Sequence, residues 1–170
     1  VSDSRGGRAD PEGFDLARLI AFKERGDSVA DHDEGEAIDG EEIVDVECEI
    51  WIPAARPDVL RADNVDRLST RVVAEGANIP ASPEAEERLA EEGVLVLPDF
   101  VANAGGVICA AVEYAGGTED RAFEVIEEKI RTNVREMLTR SVEADRLPRE
   151  VAVEMARERV VEAMSFRRTW

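Results

Sequence analysis

Two asparagines stand where ligand chemistry is easiest to build. Asn78 closes the run "RVVAEGAN" and Asn103 sits in "VLVLPDFVANAGG", each behind an apolar stretch with glycine close by. A side-chain amide donates and accepts at once, so two of them together can grip a carboxamide or a sugar hydroxyl. One such Asn is commonly a turn former. A pair at matching places behind two apolar runs points to a ligand grip instead. The run "CEIWIPAA" adds Ala54 and Ala55, small residues that let a backbone lie flat against a ligand.

These residues need strands to carry them. Residues 1–3 read as a strand end and 4–13, rich in Gly and Pro, as a loop. A helix is predicted over about 14–25, with Phe14, Leu16, Leu19, Ile20 and Phe22 towards one side and Gly26 as its stop. A polar stretch to Gly40 and a short helical turn at 41–44 lead into a strand over 46–55, where Val46, Cys48, Ile50 and Ile52 alternate. A short strand over 71–78 follows. The helix over 82–93 has Ser82 as N-cap, Pro83 at its first position and Gly93 past its end. Residues 94–100 form an unbroken apolar run, the kind buried on both faces of a sheet. Long helices over 118–144 and 148–164 complete the chain.

Alternating strands and helices from 1 to 97 predict an α/β fold with a doubly wound, mostly parallel sheet flanked by helices. In such sheets ligands bind at the carboxyl ends of the strands. Asp3, with Ser4 and Arg5 behind it, is then placed to accept from the hydroxyls of an adenosine ribose; a turn-capping Asp is the plain alternative.

Bulk properties exclude several classes. The 170-residue chain carries a formal net charge of −18, which makes nucleic acid a poor partner, since phosphate binding needs clustered Lys and Arg. Apolar runs fall short of the roughly 18 residues needed to cross a bilayer, and no signal peptide is visible. Cys48 and Cys109 lack metal-ligand spacing and read as free thiols of a cytoplasmic protein. His32, in "DHDEGE", reads as part of a solvated loop rather than a metal site. The acid is dispersed and Lys occurs only at 23 and 129, a pattern resembling proteins of salt-loving archaea; an ordinary acidic protein is the alternative.

The segments "VSDSRGG", "CEIWIPAA" and above all "VVAEGANIPASPEAEERLAEEGVLVLPDFVANAGGV" resemble the nucleotide-binding domain of the glutamate dehydrogenase family, the Glu/Leu/Phe/Val dehydrogenases. The match runs in order over about residues 1–114, and the later helices suit the family's C-terminal end. The resemblance implies a Rossmann-like domain binding NAD or NADP over residues 1–170. It further implies reversible oxidative deamination of an L-amino acid to a 2-oxo acid and ammonia, with "EGAN" and "PDFVANAGG" pointing to the glutamate branch, in a homo-oligomer, by analogy a hexamer.

By position, Asp3 and Ser4 correspond to the adenosine-ribose end of the cofactor. Ala54 and Ala55 correspond to the loop beside its nicotinamide half, Asn78 to the nicotinamide ribose and Asn103 to the carboxamide. Val107 and Ala110 match positions facing the substrate side chain. Glutamate-specific members usually carry serine where this chain has Ala110, and "GANIPAS" has Ile79 where the family usually has glycine.

The chain begins at Val1, inside what reads as a strand end, and contains no G-x-G-x-x-G. The expectation is a domain truncated before its first βα unit, without catalytic residues and inactive alone. A non-catalytic nucleotide-binding or regulatory paralogue and a leucine, valine or phenylalanine dehydrogenase are the alternatives.

Overall fold

The computed structural model describes residues 1–166. The chain opens with a small antiparallel sheet, in which β1 (Ser2–Asp3) turns through Ser4 and Arg5 into β2 (Gly6–Ala9). β2 then pairs with β3 (Glu36–Ile38). Residues 4–13 are therefore not all loop. The strand is hidden because glycines carry no apolar pattern, yet the packing needs them: a Cβ on Gly7 would fall 2.9 Å from Ile38 Cγ1.

Between β2 and β3 lies α1 (Leu16–Glu24), capped by the Asp15 side chain, which accepts from the Arg18 N–H. It buries Leu19, while Leu16 and Ile20 remain 67% and 57% exposed, so only part of the predicted apolar side is covered.

The second sheet is parallel, in the order β4 (Ile50–Trp51), β5 (Val72–Ala74) and β6 (Leu95–Leu97), with Trp51 beside Val73 and Val73 beside Val96. The predicted strand over 46–55 contracts to its centre, and its alternation runs opposite to a buried Ile face. Trp51 is buried, whereas Ile50 and Ile52 are 59% and 62% exposed. One face of this edge strand is covered and the other is bare.

The covered face holds the main core: Trp51, Val73 and Val96 pack with Leu60, Val65, Leu68 and with Ala85 and Leu89 of α2 (Pro83–Glu91). Ser82 caps α2 by accepting from the Ala85 N–H, Pro83 starts it, and Gly93 follows it at φ +79°. Sequence and structure agree closely at this helix.

After β6 the chain enters α3 (Asp99–Ala102), α4 (Gly105–Tyr114), α5 (Glu119–Ala144) and α6 (Pro148–Ser165). Thr118 caps α5, accepting from the Arg121 N–H, and Pro148 begins α6. A second core of Val101, Met137, Val151, Ala152 and Met155 gathers Leu97 of β6. With Val96 in the first core and Leu97 in the second, β6 has a helix layer on each side, as a doubly wound fold requires. Among the described residues no helix is long and apolar enough to cross a membrane.

Candidate functional site

The loops at the carboxyl ends of the parallel strands are tied to one another. The Ala77 N–H donates to Pro53 O at 2.8 Å, and a Cβ on Gly76 would lie only 3.1 Å from that of Ala54. A side chain at Gly76 would crowd the two loops where they approach each other. The Asn103 amide then donates to Asn78 Oδ1 at 2.8 Å and to Ala77 O at 3.3 Å. Ala54, Asn78 and Asn103 thus gather on one sheet edge, with Ala55 exposed beside them. Their mutual bond engages one acceptor of Asn78 and one donor of Asn103. Asn78 Nδ2 and Asn103 Oδ1, a donor and an acceptor, take no part in that bond.

Asp3 lies apart from this pair, on the antiparallel sheet, and its carboxylate is fully engaged. Oδ1 accepts from Ser28 Oγ at 2.8 Å and the Arg5 N–H at 3.0 Å, and Oδ2 from Lys23 Nζ and the Val29 N–H, both at 2.8 Å. The Lys23 ammonium, foremost among these donors, holds the carboxyl well below the usual carboxylate range. Ser4 is exposed in the hairpin turn next to it.

Beneath the asparagines lies a charged cluster that the sequence reading missed. Arg149, from the first turn of α6, donates to Glu86 of α2 at 2.7 and 2.8 Å, to Asp99 Oδ1 at 3.0 Å and to Glu75 Oε2 at 2.7 Å. The Asp99 N–H also donates to Glu75 Oε2, at 2.9 Å. Glu75 is fully buried and its other oxygen, Oε1, has no partner among the described residues. Burial, reinforced by the neighbouring Glu86, pushes its pKa from 4.5 up to about 7. For Asp99 burial acts upward too, but the Ile79 and Phe100 N–H groups and Arg149 outweigh it and the net shift is downward.

Asp99 Oδ2 accepts from the Ile79 N–H at 2.9 Å, and Ile79 sits at φ +49°, a left-handed conformation that a β-branched residue rarely adopts. One signal for this cluster was present: an acid inside each of two apolar runs, "VVAEGAN" and "VLPDF", demands a buried cation.

Val107 is 78% exposed and lines an apolar groove of about 480 Å³ between α4 and α5, with Ile108, Val112 and Val125 as walls and Arg121 and Lys129 at its rim. Ala110 is exposed on the same helix but does not line the groove. A cavity of about 670 Å³ opens at the amino ends of β4 and β5 among Glu47, Glu49, Thr70 and Arg71, at the opposite end from the asparagines.

His32 is not in a solvated loop. It is 1% exposed, with its ring edge-on to Phe22 at 5.0 Å and Phe14 at 6.2 Å, and Nδ1 accepts from the Glu34 N–H. The acids beside it turn outward instead, Asp31 pairing with Arg5, and Asp33 and Glu34 with Arg18. Among the described residues no cluster of His, Cys, Asp and Glu has the makings of a metal site. Cys48 and Cys109 are free and half-buried.

Comparison with known proteins gives this geometry a family. The model of the Glutamate/Leucine/Phenylalanine/Valine dehydrogenase family matches residues 1–168. The glutamate dehydrogenase of Aeropyrum pernix is 39% identical over 98% of this chain and 42% of its own length. The NADP-specific glutamate dehydrogenase of Saccharolobus shibatae is 34% identical over 98% of this chain and 41% of its own. In the solved hetero-hexameric glutamate dehydrogenase of Thermus thermophilus, 41% of the chain superimposes on 98% of this one, with a TM-score of 0.80 and 28% identity. The chain thus spans about two-fifths of the length of these relatives. With the fold and the family match over residues 1–168 in agreement, the chain belongs to the Glutamate/Leucine/Phenylalanine/Valine dehydrogenase family.

Proposed function

We propose that residues 1–170 are part of the NAD(P)-binding domain of an amino-acid dehydrogenase, and that their strand ends hold the nicotinamide half of the cofactor. The observation that carries this reading is the Asn103–Asn78 amide bond at 2.8 Å across the ends of β6 and β5. A nicotinamide carboxamide offers one acceptor and two donors, and the free Asn103 Oδ1 and Asn78 Nδ2 complement it and the adjoining ribose. Gly106 supports the reading as well: a Cβ there would meet nothing within 4 Å, so packing within the described residues does not require glycine. The start of α4 is open, and glycine there lets a ligand approach the backbone closely.

When bound, the cofactor supplies hydride acceptance from the Cα of the amino acid. The residues of this chain orient it, through the two amides and the flat surface at Ala54 and Ala55, and remove water from one side of the site. The carboxylates at the strand ends, Glu75 and Asp99, are taken up by Arg149, so proton transfer falls to residues outside this set and residues 1–170 alone are inactive.

L-Glutamate, going to 2-oxoglutarate and ammonia, is the substrate the relatives' names favour. A second reading rests on Val107 and Ala110, which present only apolar surface to the substrate side. If they meet the substrate side chain, a distal carboxylate needs a partner elsewhere, and a leucine, valine or phenylalanine substrate would not.

For the adenosine end, Asp3 has spent its acceptor capacity on Lys23, Ser28, Val29 and Arg5, which leaves Ser4 and the Lys23 cation to meet the ribose. A 2′-phosphate is tolerated in that setting, so the site suits NADP as well as NAD. A hexamer is the assembly by analogy with the Thermus protein, and the free thiols and dispersed acid fit a cytoplasm rich in salt.

The test is an assay of the intact protein in molar salt with glutamate, leucine, valine and phenylalanine against both cofactors. Turnover that falls at least tenfold in Asn103→Ala, through cofactor KM, is expected. Unchanged cofactor KM in Asn103→Ala would sink the site assignment, and absence of turnover with every pair would sink the enzyme reading.

A further inference from the structure

We propose that Arg149 is a positioning residue for the nicotinamide side of the site, acting from the C-terminal helices through Asp99 and Glu75 on the backbone of Ile79 and so on the Asn78–Asn103 pair. The inference rests on the cofactor reading above and adds a residue that touches neither cofactor nor substrate.

The path is continuous. Arg149 Nη1 donates to Asp99 Oδ1, and Asp99 Oδ2 accepts from the Ile79 N–H. Ile79 is the neighbour of Asn78, whose amide meets that of Asn103. Asn103 is the C-cap of α3, whose first residue is Asp99, and its N–H donates to the Asp99 main-chain O at 2.7 Å, so the short helix ties it to the same residue. A second arm runs from Arg149 Nη2 to Glu75 Oε2, which also accepts the Asp99 N–H. One guanidinium therefore fixes both loops that present the amides. Its plane is held further by Glu86 and by the ring of Phe100, 5.6 Å away.

Ile79 makes the clamp more than a tether. A β-branched side chain at φ +49° is strained, and such conformations persist only where the surroundings over-determine them. The Ile79 side chain is 63% exposed and contributes little packing to hold itself there. The Asp58 N–H donates to Ile79 O at 3.0 Å, and on the amide side the turn is held by the hydrogen bond to Asp99, itself gripped by Arg149. If that grip loosens, Ile79 relaxes toward negative φ and carries Asn78 away from Asn103.

The experiment uses the intact protein and a rescue. Arg149→Lys keeps the charge but cannot form the three-way fork, because an ammonium is a point donor and a guanidinium a planar one. Its cofactor dissociation constant is expected to rise about tenfold, the equivalent of one well-placed hydrogen bond, with the amino-acid KM within twofold. Ile79→Gly relieves the strain, since glycine adopts positive φ freely. Placed in the Arg149→Lys background it should restore most of the lost affinity, while a purely structural Arg149 would leave it unrestored.

Cofactor affinity in Arg149→Lys within twofold of the parent overturns the proposal. So does a double variant no tighter than Arg149→Lys. Glu75→Gln, which keeps the fork's acceptors, provides a folded variant that should bind within threefold of the parent if geometry rather than charge is what the cluster supplies; a tenfold loss there overturns it too. A parent that binds neither NAD nor NADP rejects the cofactor reading itself, which is a different outcome from a parent that binds while its Arg149 variants bind equally well.

Discussion

Asp3 and Glu75 are both carboxylates beside the end of a short strand, and their surroundings push them in opposite directions. Asp3 is one acid among four donors, with a lysine first among them, and is held in the charged state. Glu75 is one of three acids, with Glu86 and Asp99, that share the single cation Arg149, and it is driven towards the neutral state. The half-exposed antiparallel sheet surplus in donors and the buried edge of the parallel sheet surplus in acceptors therefore respond oppositely to pH and to loss of a partner. For Glu75 burial leads and the neighbouring acids add to it, whereas for Asp3 the lysine and the other donors outweigh burial.

The largest effect should come from breaking the acceptor-rich cluster at its cation. Arg149→Met leaves Glu86, Asp99 and the buried Glu75 without their shared cation, and removing one partner of a buried network typically costs about 3–5 kcal/mol. Urea unfolding should show that loss. A cost below about 1 kcal/mol would mean that water already solvates the cluster.

Next comes the pH response of Glu75. Its folded pKa, raised from 4.5 to about 7, means that the native state holds this proton more tightly than the unfolded chain does. Its stabilising contribution is whole below pH 4.5 and is lost as pH rises through about 7, with an upper limit of roughly 3 kcal/mol between those ends. Glu75→Gln cannot titrate, so its stability relative to the parent should climb across that window. A parent and variant that stay parallel from pH 5 to pH 8 would show that Glu75 is ionised throughout.

Asp3 has the reverse sign. Its depressed folded pKa contributes stability above the ordinary value of 3.8, and that contribution is lost as pH falls below it. Asp3→Ala strands the buried Ser28 hydroxyl and the Val29 N–H, at about 1–3 kcal/mol near neutral pH. The gap between Asp3→Ala and the parent should narrow on acidification, where the gap for Glu75→Gln narrows too but from the opposite side of its window.

How far these regions were legible in the sequence differs in the same way. The parallel sheet and its helices were readable because the Val, Leu and Ile runs, the Ser82 cap and the helix-starting Pro83 are local signals. The strand-end asparagines followed from those strands. In the first region β2 and β3 were hidden, since "GGRA" and "EAI" have too few apolar residues to show a period of two. His32 looked solvated because its acidic neighbours are, and only the folding of α1 brings Phe14 and Phe22 against it.

The Arg149 cluster was the least legible part. Its members come from four separate elements, and in a chain with 39 acidic residues no single Glu or Asp draws notice. The orientation of β4 was lost for another reason. Alternation fixes which residues share a face but not which face is covered, and here Trp51 points to the core and Ile50 and Ile52 away from it.

The smallest expected effect is the control that separates the buried cluster from the acidic surface. Glu127 and Arg131 form an i, i+4 pair on α5 with side chains 70% and 64% exposed. The acid lies N-terminal to the base, the favourable order, yet such pairs are worth only about 0.3–0.5 kcal/mol. Arg131→Ala should lose about that much in dilute buffer. Salt screens exposed charges beyond about 10 Å at 0.1 M and about 3 Å at 1 M, so the loss should vanish in molar KCl.

Over the same titration the parent itself should gain stability. With a net charge of −18, long-range repulsion between acids outweighs the sum of its exposed pairs. The penalty for Arg149→Met should barely change, because its partners are buried where ions do not enter. If instead both penalties shrink together with salt, the two regions share one electrostatic regime, and the contrast between Asp3 and Glu75 reduces to a difference in exposure.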